Sequence, residues 1–157
     1  MNMGEVIFRK AEEKDIPKLM ELNIRLKRLN EEFDPLFRMR QDIAEKSREY
    51  LEAAIKSNNS LVIVAENNNK VVGFIKADIK ERIFYEPRVE GNIVEFYLLP
   101  EYRRKKIGAA MLDYMIKQLK DRVEIITAEF PALNEIAVEF YTRLGFRAIV
   151  SIFAREG

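Results

Sequence analysis

Apolar residues recur along this chain at two spacings, and the change from one to the other predicts its helices and strands. A short apolar run at residues 6–8 predicts a first strand, and Asp15 predicts the start of a helix. From there to residue 29 apolar positions repeat every three or four residues, which is the period of an amphipathic helix. The pattern breaks near residue 34 and resumes over residues 43–55, so two helices follow the first strand.

The middle of the chain carries runs of β-branched and aromatic residues separated by turn residues. Residues 61–65 and 71–75 flank three consecutive asparagines at 67–69, a pattern that predicts a β-hairpin. A further strand is predicted at residues 92–99, and Pro100 ends it. These three strands are expected to be antiparallel neighbours.

The last third of the chain alternates between the two periods. It predicts a helix over residues 108–120, a strand over 123–130, a helix over 134–144 and a strand over 146–153. Gly145 is expected to terminate the last helix. A strand, a helix and another strand in succession are typical of a crossover connection in a partly parallel sheet.

In chain order the elements read βααβββαβαβ, which predicts the α/β class with a mixed sheet. About six strands would be flanked by about four helices. A chain of 157 residues with 48% hydrophobic residues is long enough for one core and short for two domains. A single domain over residues 1–157 is therefore expected.

Composition then narrows the chemistry. The chain has no cysteine and no histidine, which excludes disulfides, thiolate nucleophiles, Ser-His pairs and the usual zinc ligands. Its net charge of +1 gives no long-range field for nucleic acid. No apolar stretch approaches the length of a membrane span and no signal sequence precedes the first strand, so we expect a cytoplasmic protein with no metal and no membrane partner.

The most informative stretch lies between residues 98 and 112, where a strand end, a basic turn and a helix start follow one another. Free backbone N–H groups and the dipole at a helix N-terminus bind anions. The turn adds four cations, Arg103, Arg104, Lys105 and Lys106. A solvated basic turn is the alternative interpretation. Neither GxxxxGK[ST] nor GxGxxG occurs, which disfavours nucleoside triphosphates and dinucleotides as the phosphate ligand.

At these residues the chain resembles the GNAT family of acetyl-CoA-dependent N-acetyltransferases. The family places Arg/Gln-x-x-Gly-x-Gly/Ala after a strand end and a proline, and residues 103–108 read RRKKIG here. Residues 134–146, NEIAVEFYTRLGF, resemble its second cofactor-contacting segment. The resemblance extends to residues 8–16 and 72–74. It implies the GNAT fold, acetyl-CoA as co-substrate and direct attack by a primary amine in a ternary complex.

One position departs from the family pattern. Lys106 occupies the first glycine position, where a missing side chain normally lets the backbone curl around the pyrophosphate. The lysine would either reach a phosphate or weaken binding. The resemblance implies that the following residues contact the cofactor: Tyr97, Leu98, Arg103, Arg104, Lys105, Lys106, Ile107, Gly108, Ala109, Asn134 and Tyr141.

The resemblance also implies catalytic roles. Tyr141 would be the general acid that protonates the departing thiolate, and a core tyrosine is its alternative reading. Glu95 would be the general base, although the family often has a glutamate one position earlier, where Val94 stands. Glu90 and Glu124 are fallback candidates, and a water chain is a further alternative.

Several questions stay open at the level of sequence. Asn134 is equally suited to cap a helix. The acceptor amine has no recognisable signature, and both a small-molecule amine and a protein amino group fit. A non-catalytic acetyl-CoA or CoA sensor is the competing function. Family-level analogy implies a homodimer.

Overall fold

The computed structural model describes residues 4–103 and 105–157. Its centre is one five-stranded sheet with the strands in chain order. The first four strands run antiparallel to their neighbours, and the fifth is parallel to the fourth. The strands are β1 (Val6–Lys10), β2 (Ser60–Asn67), β3 (Lys70–Glu81), β4 (Val89–Leu98) and β5 (Ile125–Ala128).

In the described part of the chain, four α-helices cover the two faces of the sheet. They are α1 (Ile16–Glu31), α2 (Ile43–Lys56), α3 (Ile107–Leu119) and α4 (Glu135–Arg143). The apolar stripes of α1 and α2 pack on one face, against β2 and β3 side chains such as Val64 and Phe74. The stripe of α3 packs on the other face, against Ile63 and Ile75. The mixed α/β class predicted from the sequence is confirmed.

A β-bulge interrupts β4 and changes which face its side chains reach. In the pairing with β3, Glu95 lies opposite Lys76 and Ile93 lies opposite Ala77, so Val94 is an extra residue. Ile93 belongs to the core on the α3 face, whereas Tyr97, at the same strand parity, belongs to the core on the face of α1 and α2. A bulge of this kind re-aims the residues that follow it.

The predicted last strand is wrong in this structure. Residues 146–153 form neither strand nor helix, and residues 147–157 are all exposed. The residues of this segment have a high intrinsic preference for β-strand conformation, but a stable strand also needs the edge of a neighbouring strand to pair with. The described sheet therefore has five strands where the sequence predicts about six.

The segment after α4 does keep one predicted feature. Gly145 adopts a left-handed backbone with φ of 90° immediately beyond the helix, as its predicted role in ending α4 requires. Within residues 4–103 and 105–157, no helix is long and apolar enough to cross a membrane.

Candidate functional site

The site begins where β4 and β5 part. The two strands pair from Glu90 opposite Ile125 to Ile93 opposite Ala128. One last backbone hydrogen bond joins the Glu129 N–H to the Ile93 carbonyl oxygen at 3.0 Å. Beyond it β4 continues to its end with no described strand on that side. The unpaired edge of residues 95–98 therefore forms one wall of an opening in the sheet.

Glu95 lies at this opening, on the face covered by α1 and α2. It is 7% exposed, and both carboxylate oxygens accept hydrogen bonds. Oε1 accepts from the Lys27 ammonium of α1, and Oε2 accepts from the Tyr50 hydroxyl of α2 at 2.8 Å. A buried carboxylate is stabilised by such charge-assisted partners. The bulge at Val94 is what turns Glu95 toward these helices.

Tyr50 is held in turn by groups from the sheet. The Lys76 ammonium lies 4.5 Å from the centre of the Tyr50 ring and 2.5 Å from Asp78 Oδ1. Burial and the negative charge of Glu95 raise the pKa of Tyr50 above its usual range. The phenol is therefore a neutral hydrogen-bond donor to the carboxylate at any ordinary pH.

Tyr141 lies on the opposite face of the sheet, beside Phe130, which follows the end of β5. It is 7% exposed and belongs to the core beneath α3, where its ring stacks 5.3 Å from Phe130 and meets Phe140 and Phe146 at 5.1 and 5.2 Å. Its hydroxyl has no hydrogen-bond partner among the described residues, but the hydroxyl oxygen is not completely buried. Burial raises the pKa of Tyr141, so the phenol keeps its proton.

The N-terminus of α3 follows the end of β4. Pro100–Tyr102 form one 3-10 turn, which the Tyr102 hydroxyl anchors by donating to Asn67 Oδ1 at 2.8 Å. Lys106 precedes the helix with φ of 64° and makes no side-chain capping bond. The first intrahelical hydrogen bond of α3 joins the Ala110 N–H to the Lys106 carbonyl oxygen. The amides of Ile107, Gly108 and Ala109 precede that bond and so have no acceptor within the helix.

The basic turn is only partly directed outward. Arg103 folds back on the strand: its Nε donates to the Leu98 carbonyl oxygen at 2.8 Å and its guanidinium lies 5.1 Å from the ring centre of Tyr97. Lys105 is exposed. Arg104 lies outside the described residues. Arg103 thus ties the turn to the strand end that borders the opening.

Three other predicted candidates have local partners. Asn134 Oδ1 accepts from the Ala137 N–H at 3.1 Å, so it caps α4 as its alternative reading required. Glu90 accepts from Thr127 Oγ1 at 2.5 Å, and Glu124 accepts from the Arg88 N–H at 3.2 Å. Both glutamates lie toward the start of β4 and β5, away from the opening.

The structure brings in two side chains that the sequence analysis missed, Lys27 and Tyr50. Lys27 follows the buried Leu26 in α1, and Tyr50 precedes the buried Leu51 in α2. In the sequence, both positions therefore resemble ordinary residues at the border of an amphipathic helix. Their sequence separations from Glu95 are 68 and 45 residues. A single sequence contains no signal for contacts of that range.

No group of three or more acidic side chains in the described part of the chain is arranged to hold a metal ion. The arrangement offers instead a strand edge without a described neighbour, a helix N-terminus beside basic residues, and a carboxyl group and a phenol on opposite faces of the sheet.

Comparison with known proteins places this geometry in context. The model of the acetyltransferase (GNAT) family matches residues 25–146. An uncharacterised N-acetyltransferase of Methanocaldococcus jannaschii is 33% identical over 101 residues, which is 64% of this chain and 45% of that protein. An N-alpha-acetyltransferase of Sulfurisphaera tokodaii is 30% identical over 102 residues, 60% of this chain and 61% of that protein. The match thus spans about half the length of these curated relatives.

Solved structures show the same fold. The crystal structure of a predicted acetyltransferase with acetyl-CoA from Clostridium acetobutylicum superposes with a TM-score of 0.79 at 21% identity. The alignment covers 97% of this chain and 96% of that one.

Proposed function

The chain belongs to the acetyltransferase (GNAT) family, and from this premise we propose that it transfers the acetyl group of acetyl-CoA to a primary amine. The observation that carries the proposal is that Glu95 lies on the α1 and α2 face of the sheet at the β4–β5 opening, whereas Tyr141 lies on the opposite face beside Phe130. Acyl transfer needs a base on the side of the incoming amine and an acid on the side of the leaving thiolate. In this proposal Glu95 is the base on the amine side and Tyr141 is the acid on the thiolate side.

In this proposal Glu95 accepts a proton from the acceptor ammonium, directly or through water. The neutral amine then attacks the thioester carbonyl carbon, the carbon–sulfur bond breaks, and the thiolate takes the Tyr141 proton. The nitrogen loses its second proton to solvent as the amide forms, and solvent returns a proton to the Tyr141 phenolate. Burial keeps the Tyr141 phenol protonated before the transfer, so the proton is present when the thiolate leaves. The residues 95–98 edge has no neighbouring strand among the described residues, and apart from the Leu98 carbonyl oxygen, which accepts from Arg103 Nε, its outward backbone groups are suited to pair with the amide-bearing arm of the co-substrate.

The phosphates of the co-substrate are proposed to bind at the N-terminus of α3. Lys106 there makes no capping bond, in contrast to Asn134 at α4, so no cap from that side chain competes with an anion. The left-handed backbone of Lys106 supports this use, because the chain follows the path that a glycine favours. Lys105 and Lys106 add positive charge, and Arg103 fixes the turn to the strand end.

The acceptor is the open part of the proposal. The Sulfurisphaera relative is named an N-alpha-acetyltransferase, so peptide α-amino groups stand beside small alkylamines and polyamines as acceptors to screen. We expect release of CoA thiol in the presence of the correct amine. Binding of acetyl-CoA without thiol release across that panel would favour the sensor function instead.

Cofactor binding is tested by thermal unfolding with increasing acetyl-CoA. Ligand at about 100 times its dissociation constant stabilises the folded state by about 2.7 kcal/mol, which raises the Tm of a domain of this size by roughly 5–10 °C. We expect a smaller shift in Arg103→Ala, and a full shift in Arg88→Ala, which removes an exposed arginine far from the turn. No shift at millimolar acetyl-CoA would overturn the proposal.

A further inference from the structure

Both oxygens of the Glu95 carboxylate already accept a hydrogen bond. Lys27 donates to one and Tyr50 donates to the other. If Glu95 acts as the base in the proposed function, on which this inference rests, an acceptor ammonium that pairs with the carboxylate competes with one of these partners. The structure indicates which one.

Tyr50 is held in place from several sides. Its ring lies against the Lys76 ammonium, which is 3% exposed and paired with Asp78. Asp78 also accepts from the Ser60 hydroxyl at 2.8 Å. This chain of contacts reaches from α2 across β3 to β2, so displacing the Tyr50 hydroxyl would disturb a network of linked polar groups around the buried Lys76.

Lys27 has no comparable anchorage. Among the described residues Glu95 is the only polar partner of its ammonium. It extends from the last part of α1 on four flexible carbons, and a lysine ammonium that leaves its partner can be solvated without breaking another bond. Lys27 is therefore the partner that can be exchanged.

A lysine ammonium and a protonated primary amine are the same functional group. We propose that the Lys27 ammonium occupies the position at Glu95 that the acceptor ammonium takes, and that the acceptor displaces Lys27 while Tyr50 holds the carboxylate in place. Lys27 is then an internal competitor that sets the affinity for the acceptor, and Tyr50 is a positioning residue.

Competition of this kind has a measurable size. If Lys27 occupies Glu95 about nine-tenths of the time, the apparent affinity for an added ammonium falls about tenfold, because only the unoccupied fraction can bind it. Removing the Lys27 charge should restore that factor. A merely structural ion pair predicts no such gain, since its loss would only destabilise the fold.

The direct test uses propylammonium chloride as the probe and measures its dissociation constant by NMR titration, without acetyl-CoA and at constant ionic strength. We expect Lys27→Met to bind propylammonium about tenfold more tightly than the unsubstituted protein. Lys18→Met is the matched control, because Lys18 lies on the same helix in a surface pair with Glu21. Lys18→Met should leave the propylammonium affinity unchanged. The double variant Lys27→Met, Glu95→Gln should lose the tighter binding expected of Lys27→Met alone.

Steady-state kinetics provide the second readout. Lys27→Met should lower the KM for a primary amine about tenfold and leave the KM for acetyl-CoA unchanged, whereas Lys27→Arg should keep the KM near its original value. Tyr50→Phe should lower kcat while both KM values stay within about twofold. An unchanged or weaker propylammonium affinity in folded Lys27→Met would overturn the proposal, and Lys27→Gln serves the same comparison if the methionine variant does not fold.

The two readouts separate this inference from the proposed function. Propylammonium affinity that follows the expected pattern without thiol release in any variant would sustain the cation site and reject acetyl transfer. Thiol release together with a propylammonium affinity that is the same in Lys27→Met and in the unsubstituted protein would support acetyl transfer and reject the competition.

Discussion

At the residue scale, Lys106 and Tyr141 each combine a local cost with a proposed task. Lys106 has a left-handed backbone, which an L-residue adopts at a cost of about 1–2 kcal/mol. Tyr141 buries a phenol that lacks a hydrogen-bond partner among the described residues. Departures from local preference tend to persist at functional sites, and both residues border the β4–β5 opening or the α3 terminus.

Replacing Lys106 by glycine should stabilise the protein. Glycine adopts a φ of 64° without steric cost, and its greater freedom in the unfolded chain offsets part of the gain, so we expect an increase of up to about 1 kcal/mol in the free energy of unfolding. Urea denaturation measures it. Lys120→Gly is the control and should lower stability, because φ at Lys120 is −48° and glycine gains no advantage there. A lower midpoint for Lys106→Gly would contradict the expectation.

Removing the Tyr141 hydroxyl should impair turnover and spare binding. General-acid catalysis contributes about 100-fold or more, so Tyr141→Phe should reduce kcat by about that factor with the acetyl-CoA dissociation constant unchanged. Tyr114→Phe is the matched control on α3, where Tyr114 contacts Phe8. Thiol-release kinetics and a thermal-shift titration measure the two quantities. An undiminished kcat would assign Tyr141 to the core alone.

At the scale of elements, the close approach of β3 and β4 depends on Gly73. A Cβ at this position would lie 2.7 Å from Leu98 Cδ1 and 2.8 Å from the Tyr97 carbonyl oxygen. The same two β4 residues form the proposed contact edge for the co-substrate. The geometry of the opening is therefore linked to the packing of its neighbouring strand.

A matched pair of glycine substitutions tests this dependence. Gly73→Ala should destabilise the protein by about 1–3 kcal/mol, because the new methyl group overlaps backbone and a buried side chain. Gly108→Ala, in the first turn of α3, would place its Cβ 3.6 Å from Phe140, an ordinary contact. It should be neutral or stabilising because alanine favours helix. Equal effects in urea denaturation would argue against a tight β3–β4 approach.

At the scale of the whole molecule, one buried ion pair joins the start of the sheet to the first helix. Asp15 is 5% exposed and accepts from both Nη atoms of Arg9, at 2.8 and 2.9 Å, and from the Glu12 N–H at 2.8 Å. Burial raises the pKa of Asp15, but these hydrogen bonds outweigh it and the net pKa is lowered.

The lowered pKa determines the sign of a pH effect. A carboxyl with a lowered folded pKa contributes stability that is complete above its unfolded pKa of about 3.9 and is lost as pH falls through the folded value. Asp15→Asn should therefore cost about 1–3 kcal/mol at pH 7, and its difference from the unsubstituted protein should shrink at pH 3. Asp42→Asn, at an exposed pair with Arg40, should change stability little. Urea unfolding at both pH values measures this.

The sequence by itself determined the elements whose signals are local. Two hydrophobic periods located the helices and most strands, Pro100 marked the end of β4, and Gly145 and Asn134 marked the ends of α4. The basic turn that we propose to bind phosphate could be recognised in the sequence because its residues are contiguous. The strand predicted at residues 146–153 was not correct, since propensity is local and pairing is not.

Only the tertiary structure decided how the candidate site is assembled. The bulge at Val94 turns Glu95 toward α1 and α2, and no single-sequence pattern reveals a bulge that depends on the register with β3. Lys27 and Tyr50 reach Glu95 across 68 and 45 residues of chain. The opposite placement of Tyr141 follows from the packing of α4 beneath the other face. The sequence thus specified which chemical groups exist, and packing across the sheet decided which of them meet, because side-chain contacts depend on distances that local periodicity does not encode.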